Sequence, residues 1–152
     1  MVLMRISKND WAMTIAMITA QRSTCYRRHV GCVLLDVHNH ILSTGYNGVA
    51  SGLPHCNENC STCSGLHAKS GTNLDGCEAI HAEQNAMLQV SDMFNINTCY
   101  TTTSPCMTCM KMLCNTSCRT IYYINDYDDK AKNLWISSGR EIIKMDLPLT
   151  VL

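Results

Sequence analysis

The chain has few aromatic side chains and no excess of charge. Only 6% of its 152 residues are aromatic, with one phenylalanine, and 12 basic residues balance 12 acidic ones. A nucleic-acid-binding protein typically has a basic surface, and one that holds single strands also offers aromatic platforms. The composition therefore argues against a general nucleic-acid binder, and we expect no nucleic-acid partner.

Long apolar runs and a secretory leader are also lacking. No apolar run approaches the roughly 20 residues that span a bilayer, and residues 1–8 are too short and too mixed for a signal peptide. We expect no membrane partner and a cytoplasmic location, in the host cell if the source is viral. The length predicts a single domain over residues 1–152.

Cysteine, in contrast, is abundant. Eleven cysteines would suggest disulfides in a small secreted protein, but the count is odd and no leader is found. We therefore expect thiolate metal sites and buried thiols instead of a disulfide framework.

Two cysteines belong to the most informative motif of the chain. His-Ala-Glu at 81–83 is followed by Pro-Cys-Met-Thr-Cys at 105–109. Structural zinc sites are closed by four protein ligands, whereas catalytic sites keep three and leave the fourth position to water. Because His81, Cys106 and Cys109 supply three ligands, the motif predicts a catalytic zinc site.

Glu83 is the carboxylate of this motif. It lies two residues from His81, a spacing that does not share a helix face, so we interpret it as the acid–base group and not as a ligand. Ser104 as N-cap and the proline after it predict that both motif cysteines open a helix, whose positive end favours thiolates. The alternative is a non-catalytic zinc module, in which Glu83 would be an exposed helix residue.

The hydrophobic pattern predicts an alternating α/β order. A first, largely apolar helix has cap candidates at Ser7, Asn9 and Asp10, and a hairpin follows it. The other predicted elements are strands 30–35 and 41–45, helix 78–90, strand 97–103, helix 106–115, strand 120–125, helix 129–138 and strand 141–145. Strands linked by helices pair in parallel, so we predict a mixed five-stranded sheet with helices on both faces.

Residues 47–76 show no periodicity. So long a loop is uncommon unless something holds it, and a second zinc ion would offset the entropy lost on ordering it. The soft ligands available are His55, Cys56, Cys60, Cys63, His67 and Cys77. The alternative is a flexible loop with unrelated thiols.

Five short segments carry a family resemblance. They are Gln-Arg-Ser-Thr-Cys at 21–25, His-Val-Gly at 29–31, Gly-Tyr-Asn-Gly at 45–48, His-Ala-Glu-Gln-Asn-Ala at 81–86 and Ser-Pro-Cys-Met-Thr-Cys at 104–109. The zinc motif is the known signature of zinc-dependent nucleobase deaminases, and the set as a whole resembles the deoxycytidylate (dCMP) deaminases. This resemblance implies a three-layer α/β/α fold of the cytidine-deaminase type. It also implies hydrolysis of dCMP to dUMP and ammonia, which supplies thymidylate synthesis.

The resemblance further implies regulation. Enzymes of this family are commonly homo-hexamers that are activated by dCTP and inhibited by dTTP, each bound with Mg²⁺. The expected effector residues are Gly45, Tyr46, Asn47, Gly48 and Arg28. The glycines would let the backbone approach a nucleotide closely, and the tyrosine offers a face for its base.

Several bacterial and phage members of the family carry a second zinc. By position, Cys25, Cys56 and Cys77 match its ligands, and His67 is favoured as the fourth. Two alternatives stay open. The fourth ligand could be Cys60, Cys63 or His55 instead. The site could also be formed without Cys25, by Cys56, Cys60, Cys63 and Cys77.

Substrate binding is expected to use arginine, because its planar fork can hold a phosphate through two hydrogen bonds. The candidates are Arg22 and Arg27, with Arg28 as the third. By resemblance the Asn47 amide would bond the sugar, and Tyr127 could stack on the base. A nucleic-acid deaminase or a free-nucleoside deaminase with the same zinc site is the alternative function.

Overall fold

Among the described residues, a five-stranded sheet and four helices organise the fold. A computed structural model describes residues 5–56, 58, 63, 65, 68, 69, 72 and 77–148. Its elements in chain order are α1 Lys8–Ala20, β1 Gly31–Leu35, β2 Ile41–Tyr46, β3 Gly48–Val49, β4 Ala79–Ile80, α2 Ala82–Leu88, a 3₁₀ turn Met93–Asn95, β5 Thr98–Thr103, α3 Met107–Cys114, β6 Thr120–Asn125, α4 Asp129–Ser137 and β7 Glu141–Lys144.

The five-stranded sheet has the order β2-β1-β5-β6-β7. β1 is antiparallel to both β2 and β5, whereas β5, β6 and β7 run parallel. On one face α1 packs against Val33, Leu35 and Tyr100. On the other face α2, α3 and α4 cover Cys32 and Leu34. The predicted three-layer α/β/α architecture with a mixed five-stranded sheet is confirmed.

Two glycines let helices lie directly on strand backbone. A Cβ added to Gly31 would stand 1.9 Å from the Ala16 carbonyl oxygen of α1, and one added to Gly45 would stand 2.2 Å from the Ala82 carbonyl oxygen of α2. Gly45 pairs with Cys32, so the two glycines open toward opposite faces of the sheet. The absence of a side chain at Gly45 thus lets the backbone of α2 lie against β2. This face of Gly45 is therefore occupied by α2, and an effector nucleotide at residues 45–48 stays a prediction for the surface that α2 leaves open.

Most predicted elements are present, but the helix expected over 78–90 is shorter. Residues 79–80 are extended because they pair with Gly48–Val49 in a separate two-stranded sheet. α2 consequently begins at Ala82, and His81 is its N-cap. Ser7 caps α1 by accepting a hydrogen bond from the Asp10 N–H, as one of the three cap candidates predicted. Within the described ranges, no helix is long and apolar enough to cross a membrane.

Candidate active site

The three predicted zinc ligands meet at the ends of two helices. His81 Nδ1 lies 3.3 Å from Cys106 Sγ and 3.4 Å from Cys109 Sγ. All three ligand atoms lie within 4.8 Å of one another. One imidazole and two thiols are soft donors that suit zinc, and three protein ligands leave one position open. The residues present therefore fit a catalytic zinc ion.

Each ligand is held by local backbone structure. The Gln84 side chain accepts a hydrogen bond from the His81 N–H, which fixes the start of α2. Cys106 is itself the N-cap of α3, and Cys109 lies in the first turn. The prediction of Ser104 as the cap is wrong, because its hydroxyl instead accepts the Tyr127 N–H. The expectation that both cysteines lie at the positive end of a helix is nevertheless confirmed.

The two thiols differ in acidity. Hydrogen bonds from Cys109 and His81 lower the pKa of Cys106 to about 4. The same contact with Cys106, together with burial, raises the pKa of Cys109. The contact between the two thiols thus favours the thiolate form on Cys106, and a bound metal ion would favour it on both.

Glu83 is buried beside these ligands. Only 4% of its surface is exposed, and burial raises the pKa of its carboxyl above the usual glutamate value. Its Oε1 accepts a hydrogen bond from the Thr101 hydroxyl at 3.2 Å, and its carboxyl also contacts Cys109. A buried carboxyl with a raised pKa can both accept and return a proton near neutral pH.

A pocket opens in front of His81, Glu83 and Cys106. Its opposite wall contains cationic, aromatic and amide side chains from other elements: Arg27, Arg28, Asn47 and Tyr127. The Arg28 guanidinium lies over the Tyr127 ring, 4.7 Å from its centroid. The pocket therefore combines a metal-ligand set, a buried acid and two cations.

Asn47 links this pocket to the start of β1. Its side-chain oxygen accepts the Val30 N–H, and its side-chain nitrogen donates to the Arg28 carbonyl, both at 2.8 Å. The amide holds the segment that carries the arginines, a role that the sequence did not predict. One N–H of the amide remains for a ligand.

Two of the three candidate arginines lie in different surroundings. Arg28, expected in an effector site, lines the pocket. Arg22, expected at the substrate, is exposed and lies over the Tyr46 ring, 5.9 Å from its centroid. The reason is local: Arg22 ends the turn after α1, whereas the chain at Arg28 is drawn to the pocket by Asn47.

A second group of cysteines lies at the pocket. The buried Cys56 has its pKa raised to about 11, chiefly by burial and then by Cys63, Cys25 and Cys77 nearby. Cys25 and Cys77 also line the pocket. This thiol cluster is looser than the first site, because within the described part of the chain only the first site brings three ligand atoms within 4.8 Å.

The other candidates for this cluster are differently placed. His67 and Cys60 lie outside the described residues. His55 is exposed, and its Nδ1 lies 3.3 Å from the Thr24 hydroxyl. Cys63, one of the predicted competitors, is thus the fourth member that the structure brings to Cys56.

A family comparison covers most of this framework. The model of the cytidine and deoxycytidylate deaminase zinc-binding region matches residues 6–125. The chain belongs to the cytidine and deoxycytidylate deaminase family. The matched range includes His81, Glu83, Cys106 and Cys109.

Individual relatives agree with this membership. The deoxycytidylate deaminase of Mycobacterium phage D29 is 33% identical over 130 residues, which cover 78% of this chain and 97% of the phage protein. That of Schizosaccharomyces pombe is 35% identical over 127 residues, covering 82% of this chain and 39% of the relative. The chain thus spans about two fifths of the length of its yeast relatives.

A solved structure has the same fold. The dCMP deaminase of cyanophage S-TIM5, in complex with dCMP and dUMP, superposes with a TM-score of 0.71 at 28% identity. The superposition covers 93% of this chain and 99% of the phage protein. The deaminase fold predicted from the sequence motifs is therefore confirmed.

Proposed function

We propose that this chain hydrolyses dCMP to dUMP and ammonia and so supplies dUMP to thymidylate synthesis in the cytoplasm. The observation that carries the proposal is one pocket that holds a three-ligand soft metal site, a buried glutamate and two arginines. Hydrolytic loss of an amine from a nucleobase ring needs the metal site and the glutamate. A 5′-phosphate on the substrate explains the two arginines. The phage structure with dCMP and dUMP supports the same reaction.

In this proposal His81, Cys106 and Cys109 hold the zinc ion. When bound, zinc would lower the pKa of water to about 7 and supply a nucleophile at neutral pH. Glu83 takes the first proton from the attacking water and gives it to the ring nitrogen of cytosine. It then carries the second proton to the leaving amine, so that ammonia departs and uracil remains.

The other pocket residues orient the nucleotide. Arg27 and Arg28 are positioned to bind the phosphate, and the free N–H of Asn47 is available to the sugar. Tyr127 presents the remaining face of its ring to the base, since Arg28 occupies the other. Arg22 lies outside this set.

The arginines can be tested by comparing dCMP with deoxycytidine, which lacks the phosphate. Wild type should release ammonia from dCMP far faster than from deoxycytidine or from cytosine-bearing oligonucleotides. Arg27→Ala and Arg28→Ala should raise KM for dCMP by about tenfold or more, because each removes a charge-assisted hydrogen bond. Neither should change KM for deoxycytidine.

Arg119→Ala is the matched control, because Arg119 is an exposed arginine that immediately precedes β6 and does not line the pocket. It should leave both KM values unchanged. A preference for oligonucleotides, or for deoxycytidine over dCMP, would replace the proposal with one of the two alternative deaminase functions.

We also propose a second, structural zinc site. Four cysteines are its ligands in this proposal, with Cys63 in place of the favoured His67: Cys25, Cys56, Cys63 and Cys77. Support comes from the proximity of the other three thiols to Cys56. Four thiolates would close a structural site and would fasten the long loop to the wall of the substrate pocket.

We propose regulation by nucleotides as in the family. Arg22 lies over the ring of Tyr46, the last residue of β2. In this proposal Arg22 binds the triphosphate of the magnesium-bound effector, and Tyr46 stacks on its base. Effector residues expected beside them are Asn47 and Gly48. Exposed apolar side chains on α1 and α2, such as Ile18 and Leu88, supply surface for a homo-hexamer.

Calorimetric titration tests the effector site. Magnesium-dTTP should weaken binding of a dCMP analogue, and the analogue should weaken binding of dTTP by the same factor, because binding linkage is reciprocal. Arg22→Ala should abolish the dTTP effect without changing affinity for the analogue. If dTTP fails to bind, or binds only by displacing the analogue from the pocket, the enzyme is unregulated.

A further inference from the structure

Thr101 makes a contact with the catalytic carboxyl that its place in the sequence does not suggest. It lies on β5 with no exposed surface. Its hydroxyl is 3.2 Å from Glu83 Oε1 and 3.0 Å from the Thr103 carbonyl oxygen, so its single proton is shared between these two acceptors. One buried hydroxyl therefore connects the central sheet to the carboxyl that faces the pocket.

The register of the sheet explains how Thr101 reaches Glu83. Thr101 pairs with Cys32, whose side chain belongs to the face covered by α2. Glu83 is in the first turn of that helix. The sheet thus supplies a fixed support directly beneath the start of α2, and α2 is itself tied to β2 by the Asn85 amide and the Ser43 hydroxyl.

Such a support matters because a glutamate side chain has three rotatable bonds. A proton shuttle must stay within hydrogen-bond reach of both the atom that gives the proton and the atom that receives it. The remaining polar contacts of the Glu83 carboxyl are its own backbone N–H and the Cys109 thiol. The first of these contacts lies within α2 and the second comes from α3, so the Thr101 hydroxyl restrains the rotation of the Glu83 side chain from a third element, the central sheet.

We propose that Thr101 is a positioning residue for the reaction, holding the Glu83 carboxylate at the angle needed for proton transfer. This inference rests on the proposed deamination of dCMP. Thr101 does not itself line the pocket, and its hydroxyl reaches two residues that do, Glu83 through the carboxyl and Thr103 through the backbone carbonyl. Losing it should slow the chemical step and leave nucleotide binding intact.

Two pairs of variants isolate the hydroxyl. Thr101→Val keeps the shape of the side chain and removes the hydroxyl, and should lower kcat for dCMP by about tenfold with KM unchanged, the effect of one lost hydrogen bond to a charged group. Thr101→Ser and Thr101→Ala both lose the methyl group, but serine keeps the donor. Serine should retain most of the wild-type kcat, whereas alanine should fall to the level of valine.

Thr98→Val is the control, because Thr98 is equally buried on the same strand but lies three residues away from Glu83's partner. It should keep kcat and KM unchanged. Zinc content should match wild type in every variant compared, whereas Thr101→Ser and Thr101→Ala should lower the melting temperature because both leave a cavity where the buried methyl group was.

If Thr101→Val does not fold, the serine and alanine pair still measures the hydroxyl. Equal kcat for serine and alanine, or for wild type and valine, overturns the positioning role. A rise in KM with kcat unchanged overturns it as well. An inactive wild type would instead reject dCMP deamination itself, so the two failures are distinguishable.

Discussion

Glu83→Gln should lower kcat for dCMP by at least about a hundredfold, the usual effect of losing a general acid–base group. Glutamine fills the same space and hydrogen-bonds, but it cannot carry a proton between the attacking water and the leaving amine. Because Glu83 is not one of the three predicted ligands, zinc content should stay at the wild-type level. Steady-state kinetics and metal analysis on the same preparation measure both quantities.

Stability provides a second measurement on the same variant. Burial raises the pKa of Glu83 in the folded protein. In metal-free protein, the unfolded state therefore binds fewer protons than the native state between the unfolded and folded pKa values. The free energy of unfolding should then fall as pH rises through that window. Glu83→Gln removes the buried charge and should flatten this fall.

Glu78→Gln is the matched control, since Glu78 is exposed five residues earlier in the chain. It should leave activity, zinc content and the pH dependence of stability unchanged. Substantial residual activity in Glu83→Gln would remove Glu83 from the proposed mechanism, and loss of zinc would make it a ligand.

Cys109→Ser should abolish dCMP deamination and release one zinc ion per chain. A catalytic site reduced to two strong ligands binds zinc poorly, and Cys109 has no exposed surface through which another donor could enter. Wild type is expected to contain two zinc ions per chain. Cys56→Ser should release the other ion, keep the catalytic one and lower the melting temperature, because metal binding in such sites contributes directly to folding.

Cys114→Ser is the control for these two variants, because this free thiol belongs to neither group. It should retain both zinc ions. One zinc ion per chain in fully loaded wild type would contradict the second site, and full activity in Cys109→Ser would contradict the first.

The metal ligands and the acid–base group of the site are easier to predict from the sequence than the residues that line its pocket. His81, Cys106 and Cys109 are predictable because zinc chemistry fixes both residue type and spacing, and the Ser-Pro pair before Cys106 predicts both cysteines in the first turns of a helix. The start of α2 is predicted too early from the sequence. Residues 79–80 pair with Gly48–Val49, which lie some thirty residues earlier in the chain. Local propensity carries no information about such a contact.

The arginines and Thr101 illustrate the same limit. Arg22 and Arg28 are equivalent by composition, and only the hydrogen bonds of Asn47 to the segment 28–30 separate them. Thr101 is one of three consecutive threonines in β5, so its contact with Glu83 depends on which face of the sheet α2 covers. Strand alternation limits Thr101 to one face, but the identity of that face is a tertiary property.

Gly31 and Gly45 have a mechanical consequence for the active site. Side chains packed between a helix and a sheet already transmit strain, because protein interiors are close-packed and have low compressibility. Here the backbones of α1, the β1–β2 hairpin and α2 are in direct contact at two adjoining points. The stack is stiff across its thickness, so a push on the outer face of α1 reaches the helix of Glu83 with little loss.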